Sequence, residues 1–68
     1  MKVFINKTEV ILFKGATLGD AVLAYSKQSY ELLKTGKIVI IDRFGNRTEP
    51  DGPVDEGQKF VIKPAGLP

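Results

Sequence analysis

The sequence predicts an α+β fold: a mixed sheet of four to five strands packed on one main helix, in the order strand, strand, helix, strand, short strand, strand. Three observations carry that expectation. Two short β-branched and aromatic runs, residues 2–5 and 9–13, are separated only by Asn6-Lys7-Thr8. A stretch with helical apolar spacing follows a capping signal at Thr17. Two further strand patterns, one continuously apolar and one alternating, come after it at residues 38–41 and 58–63.

The first two runs read as a hairpin, because Asn6 tolerates the left-handed backbone that a tight turn demands. Alternation puts Val3 and Ile5 on one face of the first strand and Val10 and Leu12 on one face of the second. Phe4, Ile11 and Phe13 fall on the opposite face, as expected of a sheet flank that carries scattered exposed apolar groups in place of a binding surface. Lys14-Gly15-Ala16 ends the strand, and Thr17-Leu18-Gly19-Asp20 has the Thr-x-x-acid form of a capping box. Leu18, Ala21, Val22 and Tyr25 then recur at helical spacing and form the stripe that covers the sheet. The polar segment 26–29 interrupts this pattern. Ser29 is expected to cap a further turn through Glu31, Leu32 and Leu33 that stops at Gly36, and the pattern fits one bent helix or two.

Ile38-Val39-Ile40-Ile41 is the expected central strand, buried on both faces. Phe44-Gly45-Asn46 offers a tight turn, Arg47-Thr48-Glu49 a short edge strand, and Pro50-Asp51-Gly52-Pro53 a second turn. After the turn Asp55-Glu56-Gly57, Phe60 and Ile62 share one face of the last strand, with Lys59, Val61 and Lys63 on the other.

Composition narrows the function. The chain has 68 residues, no cysteine and no histidine, so thiolate and imidazole chemistry, disulfides and the usual metal ligands are excluded and no enzymatic activity is expected. A chain this short builds one core and reads as a single domain over residues 1–68. Its ten basic and eight acidic residues are spread without a run of like charge, so nucleic acid is not an expected partner. No apolar run approaches the roughly 20 residues of a membrane helix, and residues 1–5 do not resemble a secretory signal; a cytoplasmic location and no membrane association are expected.

A hairpin followed by a helix cannot bury its own apolar face, whereas a later strand laid beside the first completes a mixed sheet around that helix. This arrangement is the β-grasp, or ubiquitin-like, fold. Residues 54–66, Val-Asp-Glu-Gly-Gln-Lys-Phe-Val-Ile-Lys-Pro-Ala-Gly, resemble the closing segment of the ThiS and MoaD sulfur-carrier families. Residues 2–13, followed by Gly15-Ala16-Thr17-Leu18-Gly19-Asp20, are similar to their opening hairpin and helix start; these motifs are short and are shared with other β-grasp groups such as the TGS domains. The resemblance implies a C-terminal Gly-Gly carboxylate that an adenylating enzyme activates and converts to a thiocarboxylate. Only Gly66 maps onto that motif, and Leu67-Pro68 follow it, so the carrier activity implied here requires processing back to Gly66.

Two functions are therefore expected in order: a non-catalytic protein-interaction domain, and as the alternative a sulfur carrier acting through Gly66. Neither needs a cofactor. The candidate partner surface is Arg43, Phe44 and Arg47, an aromatic between two guanidinium groups, a combination enriched at protein contacts. The simpler packing expectation is that Phe44 folds back onto the core and leaves both arginines solvated; Tyr25 is expected to pack on the helix stripe, and Tyr30 is open between packing and exposure. The carboxylate pairs Asp55/Glu56 and Glu49/Asp51 read as solvated turn formers, and Gly15 and Gly19 lack the Gly-Lys-Ser/Thr ending of a phosphate loop.

Overall fold

Five strands and two helices make up the computed structural model, which describes residues 1–66. They are β1 (Lys2–Ile5), β2 (Thr8–Ile11), α1 (Leu18–Tyr25), α2 (Lys27–Lys34), β3 (Ile38–Asp42), β4 (Arg47–Thr48) and β5 (Lys59–Pro64). The strands form one mixed sheet in the order β2-β1-β5-β3-β4. β1 runs parallel to β5, while the β1–β2, β3–β5 and β3–β4 pairs are antiparallel.

The hairpin turns at Asn6 and Lys7, both in the left-handed region at φ +50° and +69°. Two consecutive left-handed residues match the right-handed twist of the flanking strands. Asn6 does more than turn the chain. Its N–H donates to the Phe60 carbonyl at 2.9 Å, and its Oδ1 accepts from the Ile62 N–H at 2.9 Å, so it closes the parallel β1–β5 ladder.

Thr17 caps α1 as the spacing predicts. Its Oγ1 accepts from the Asp20 N–H at 3.2 Å, and the Asp20 carboxylate accepts from the Thr17 N–H at 3.0 Å. The remaining free amides at this helix start are taken up by the 50–54 segment: Leu18 donates to the Gly52 carbonyl and Gly19 to the Pro50 carbonyl, each at 2.9 Å. The helix packs so closely on this segment that a Cβ at Gly19 would stand 3.3 Å from the Pro50 carbonyl oxygen.

Of the two helical readings, two helices are found, and the break lies at Ser26, not at the expected Ser29. Ser26 is extended (φ −164°, ψ 121°) and serves both helices. Its N–H closes α1 on the Val22 carbonyl at 2.8 Å, and its Oγ accepts the Ser29 N–H at 3.2 Å as the N-cap of α2. Ser29 is thus the residue capped. α2 ends with paired bonds from Gly36 to Leu33 and from Lys37 to Leu32, with Gly36 at φ +78°, the Schellman arrangement that only a residue tolerant of positive φ accepts readily.

The core lies between the helices and one face of the sheet. Val3, Ile5, Val10, Ile40 and Phe60 enter it from the strands, and Leu18, Ala21 and Val22 from α1, with Tyr25, Tyr30 and Leu33 half-buried at its margin. β3 is not the central strand that its apolar run predicts. That place belongs to β5, which pairs with β1 through Lys59 and Phe60 and with β3 through Phe60 to Pro64. Within β3 only Ile40 is fully buried; Val39 and Ile41 are half-covered by their sheet neighbours Lys63, Val61 and Arg47. The sheet carries helices on one face only, so a central strand needs an apolar side toward the helices alone, and alternating β5 satisfies that condition. No helix is long and apolar enough to cross a membrane among the described residues.

Candidate functional site

The helix-free face of the sheet is built from the residues that alternate with the core positions. Lys2 and Phe4 supply it from β1, Glu9 and Ile11 from β2, and Lys59, Val61 and Lys63 from β5. Val39 and Ile41 continue it on β3, with Arg47 opposite Ile41 on the edge strand. Register places Glu9, Phe4 and Lys59 in one row across three strands, and Val61, Ile41 and Arg47 in another. Ile11 is 64% exposed and Val61 41%. Phe13, which continues the alternation past β2, is 66% exposed. The apolar flank expected at Phe4, Ile11 and Phe13 is thus one end of a longer apolar band that crosses the sheet.

Charge gathers on the same face. Lys2, Lys59, Lys63 and Arg47 stand on it, and Lys7 and Arg43 project beside it from the two turns at one end. These are six of the ten basic residues of the chain, accompanied by one carboxylate, Glu9. Counting also Asp42 and Glu56, whose carboxylates line a cleft with Arg43 and Lys59 at that same end, six positive groups less three negative give the region about +3, while the whole chain carries +2. Glu9 pairs with Lys2 at 3.4 Å, and both are half-exposed. Among the described residues this is the one ion pair, so Lys7, Arg43, Arg47, Lys59 and Lys63 have no carboxylate partner.

Between the β1–β2 and β3–β4 turns lies an open hollow of about 510 Å³ lined by Phe4, Lys7, Arg43, Lys59, Phe60 and Val61. Its floor is apolar and its rim cationic. The Lys59 ammonium sits 5.9 Å from the centre of the Phe4 ring, and the Arg43 guanidinium 4.8 Å from that of Phe44. Both rest on ring faces, which orients the charge without neutralising it. The carboxylates nearest this rim, Asp42 and Glu56, are oriented by backbone amides and form no ion pair with Arg43 or Lys59 among the described residues. Asp42 Oδ1 accepts the Phe44 and Asn46 N–H groups, each at 2.9 Å, and Glu56 Oε2 accepts the Lys2 N–H at 3.1 Å.

Of the surface triad expected from sequence, Arg43 and Phe44 come together and Arg47 stands apart, on β4 beside Ile41. Phe44 does not fold back onto the core; it is 74% exposed. The reason is the turn. Asp42 fixes the Phe44 and Asn46 amides, Gly45 at φ +85° reverses the chain, and Phe44 is held at the tip beyond the end of the sheet. Gly66, the residue expected to carry the sulfur-carrier chemistry, is exposed at φ +75° just after β5. The chain is held to the sheet as far as Ala65, whose N–H donates to the Lys37 carbonyl at 2.9 Å; the expectation for Leu67 and Pro68 falls outside the described residues. Asp55 and Glu56 are exposed in their turn, as are Glu49 and Asp51 in theirs, and no group of three acidic side chains suited to a metal ion occurs among the described residues.

Sequence reasoning did not single out Phe4, Lys7, Lys59 and Val61 as one site. The alternation signal places Phe4, Lys59 and Val61 on the face away from the core, but only the parallel pairing of β1 with β5 brings residues 4 and 59 together. Comparison of the chain with known protein families, with characterised proteins and with solved structures returns no match.

Proposed function

We propose that this chain is a β-grasp interaction module that binds a protein partner through the helix-free face of its sheet and performs no reaction of its own. The observation that carries this reading is the apolar band of Ile11, Phe4, Val61 and Ile41 across that face, with Ile11 and Val61 exposed, Phe4 and Ile41 half-buried, and charge around them. A band of this kind with a polar border is the composition of a protein contact surface, with an apolar centre and a charged rim. The strand order β2-β1-β5-β3-β4, with a helix after the second strand, is compatible with the β-grasp plan. An inventory without cysteine or histidine supports a non-catalytic role.

Site-specific photo-crosslinking in the native host tests the reading. A photoreactive residue at position 11 or 61 is expected to give one discrete adduct of higher mass, whereas the same residue at position 27, on the exposed side of α2, gives none. Equal adducts from all three positions, or none from 11 and 61, would refute it. Removal of residues 66–68 leaves the adducts unchanged under this reading and abolishes them under the sulfur-carrier alternative.

A further inference from the structure

The interaction-module reading leaves the chemistry of the partner open, and the hollow between the two turns narrows it. From that reading and this geometry we infer that the hollow receives an acidic peptide segment of the partner: one apolar side chain seated against Phe4 and Val61, with carboxylates on either side held by Lys7, Arg43 and Lys59.

Charge complementarity selects this occupant. Three cationic groups converge on one apolar floor, and none has an intramolecular carboxylate partner among the described residues. The region as a whole is near +3, so a second copy presenting the same face would be repelled and an acidic partner steered in. Shape and composition separate an acidic peptide from other polyanions. The hollow is concave with an aliphatic and aromatic floor, which accepts a protruding side chain, while the one apolar group projecting beside it, Phe44, is stacked against Arg43. Of the two phenylalanines that line the hollow, Phe60 is buried in the core and Phe4 lies under the Lys59 ammonium, so neither offers an open ring face to stack a nucleobase, the contact on which single-strand binding relies.

Backbone conformation at the rim agrees. Lys7 occupies a left-handed position at φ +69° in a two-residue turn where glycine is the favoured residue after asparagine. A lysine at this backbone cost, with its side chain lining the hollow, fits a binding role.

The test is an amide-shift titration of the full chain with a short synthetic peptide that has a central leucine between aspartate and glutamate residues. Saturable shifts are expected at residues 4, 7, 43, 59 and 61, with half-saturation at or below about 1 mM, weakening severalfold as salt rises from about 50 to 200 mM. The double variant Arg43→Glu/Lys59→Glu should weaken binding by about tenfold or more, while Lys59→Arg stays within about twofold of the parent. All these positions are solvent-facing rim groups, and the amide spectrum away from the hollow reports whether each variant keeps the fold. The inference is overturned if the peptide gives no saturable shifts, or if its asparagine/glutamine counterpart binds equally well. Tighter binding of oligothymidylate, or of vesicles containing phosphatidylserine, likewise overturns it in favour of nucleic acid or membrane. Crosslinks from positions 11 and 61 together with a failed titration would leave the interaction module standing and remove only the acidic partner; loss of both removes the module as well.

Discussion

Replacing Lys7 with glycine should make the protein more stable and its hollow a poorer binder. The stability change follows from the turn. Lys7 sits at φ +69°, where an L-residue with a Cβ is disfavoured by roughly 1–2 kcal/mol. Glycine escapes that cost but brings extra freedom to the unfolded chain, which returns roughly 0.5–1 kcal/mol. The net gain is about 0.5–1 kcal/mol, or about 2–8 °C in midpoint for a domain of this size. Thermal unfolding followed by circular dichroism measures it. Lys7 also belongs to a region near +3, so removing its charge relieves some repulsion whatever replaces it. Lys7→Ala separates the two effects, because it removes the same charge and keeps the left-handed Cβ. If Lys7→Gly is no more stable than Lys7→Ala, the turn does not store the strain assigned to it. The same Lys7→Gly variant should bind the acidic peptide about twofold less tightly, as expected for one exposed charge contact. Opposite signs in the two assays would mean that the site keeps a locally unfavourable residue for the sake of its contact.

Four further perturbations probe the framework. Asn6→Gly preserves the left-handed turn but removes the acceptor of the Ile62 N–H; a loss of about 1 kcal/mol and faster hydrogen exchange at the Ile62 amide are expected. Ser26→Ala withdraws the side-chain cap of α2 and should cost about 1 kcal/mol with a drop in helical circular dichroism, although the residue lies on no strand and touches no part of the hollow. Ile40→Ala empties a fully buried position on β3 and should lower unfolding free energy by about 2–5 kcal/mol, read from the denaturant midpoint. Glu9→Gln removes the one carboxylate of the helix-free face; stability should stay within about 0.5 kcal/mol because its ion pair with Lys2 is half-exposed, while affinity for the acidic peptide rises about twofold.

Most local features were legible in the residues themselves. The Thr17–Asp20 capping box, the turn at Asn6, the stop at Gly36 and the alternation of Val3, Ile5, Phe60 and Ile62 each depend on neighbours within a few positions, and each is found where the pattern puts it. The α+β class and the mixed sheet follow from them. The errors have a common origin. Ser29 looks like a suitable cap because serine caps well wherever the backbone opens; the backbone is extended at Ser26, whose side chain takes the Ser29 amide. Ile38–Ile41 looks like a central strand because all four residues are apolar, yet β5 lies at the centre while β3 stands next to the short edge strand. Phe44 looks like a core residue because it is large and apolar; the Asp42 side chain holds the turn so that it faces water.

The candidate site divides in the same way. In β1, β2 and β5 the sequence by itself determined which side chains point away from the core, since a period of two is a property of each strand alone; in the uniformly apolar β3 it did not. It also determined the absence of thiol and imidazole chemistry and the presence of a lysine in the hairpin turn. Only the tertiary structure decided that β5 inserts between β1 and β3, and this gathers Phe4, Lys7, Arg43, Lys59 and Val61 around one hollow from three distant parts of the chain. Charges spread evenly along the sequence thereby become concentrated on one face. The physical reason is that strand order is settled by which packing buries the shared core, a long-range choice that leaves no periodic signal in any single segment.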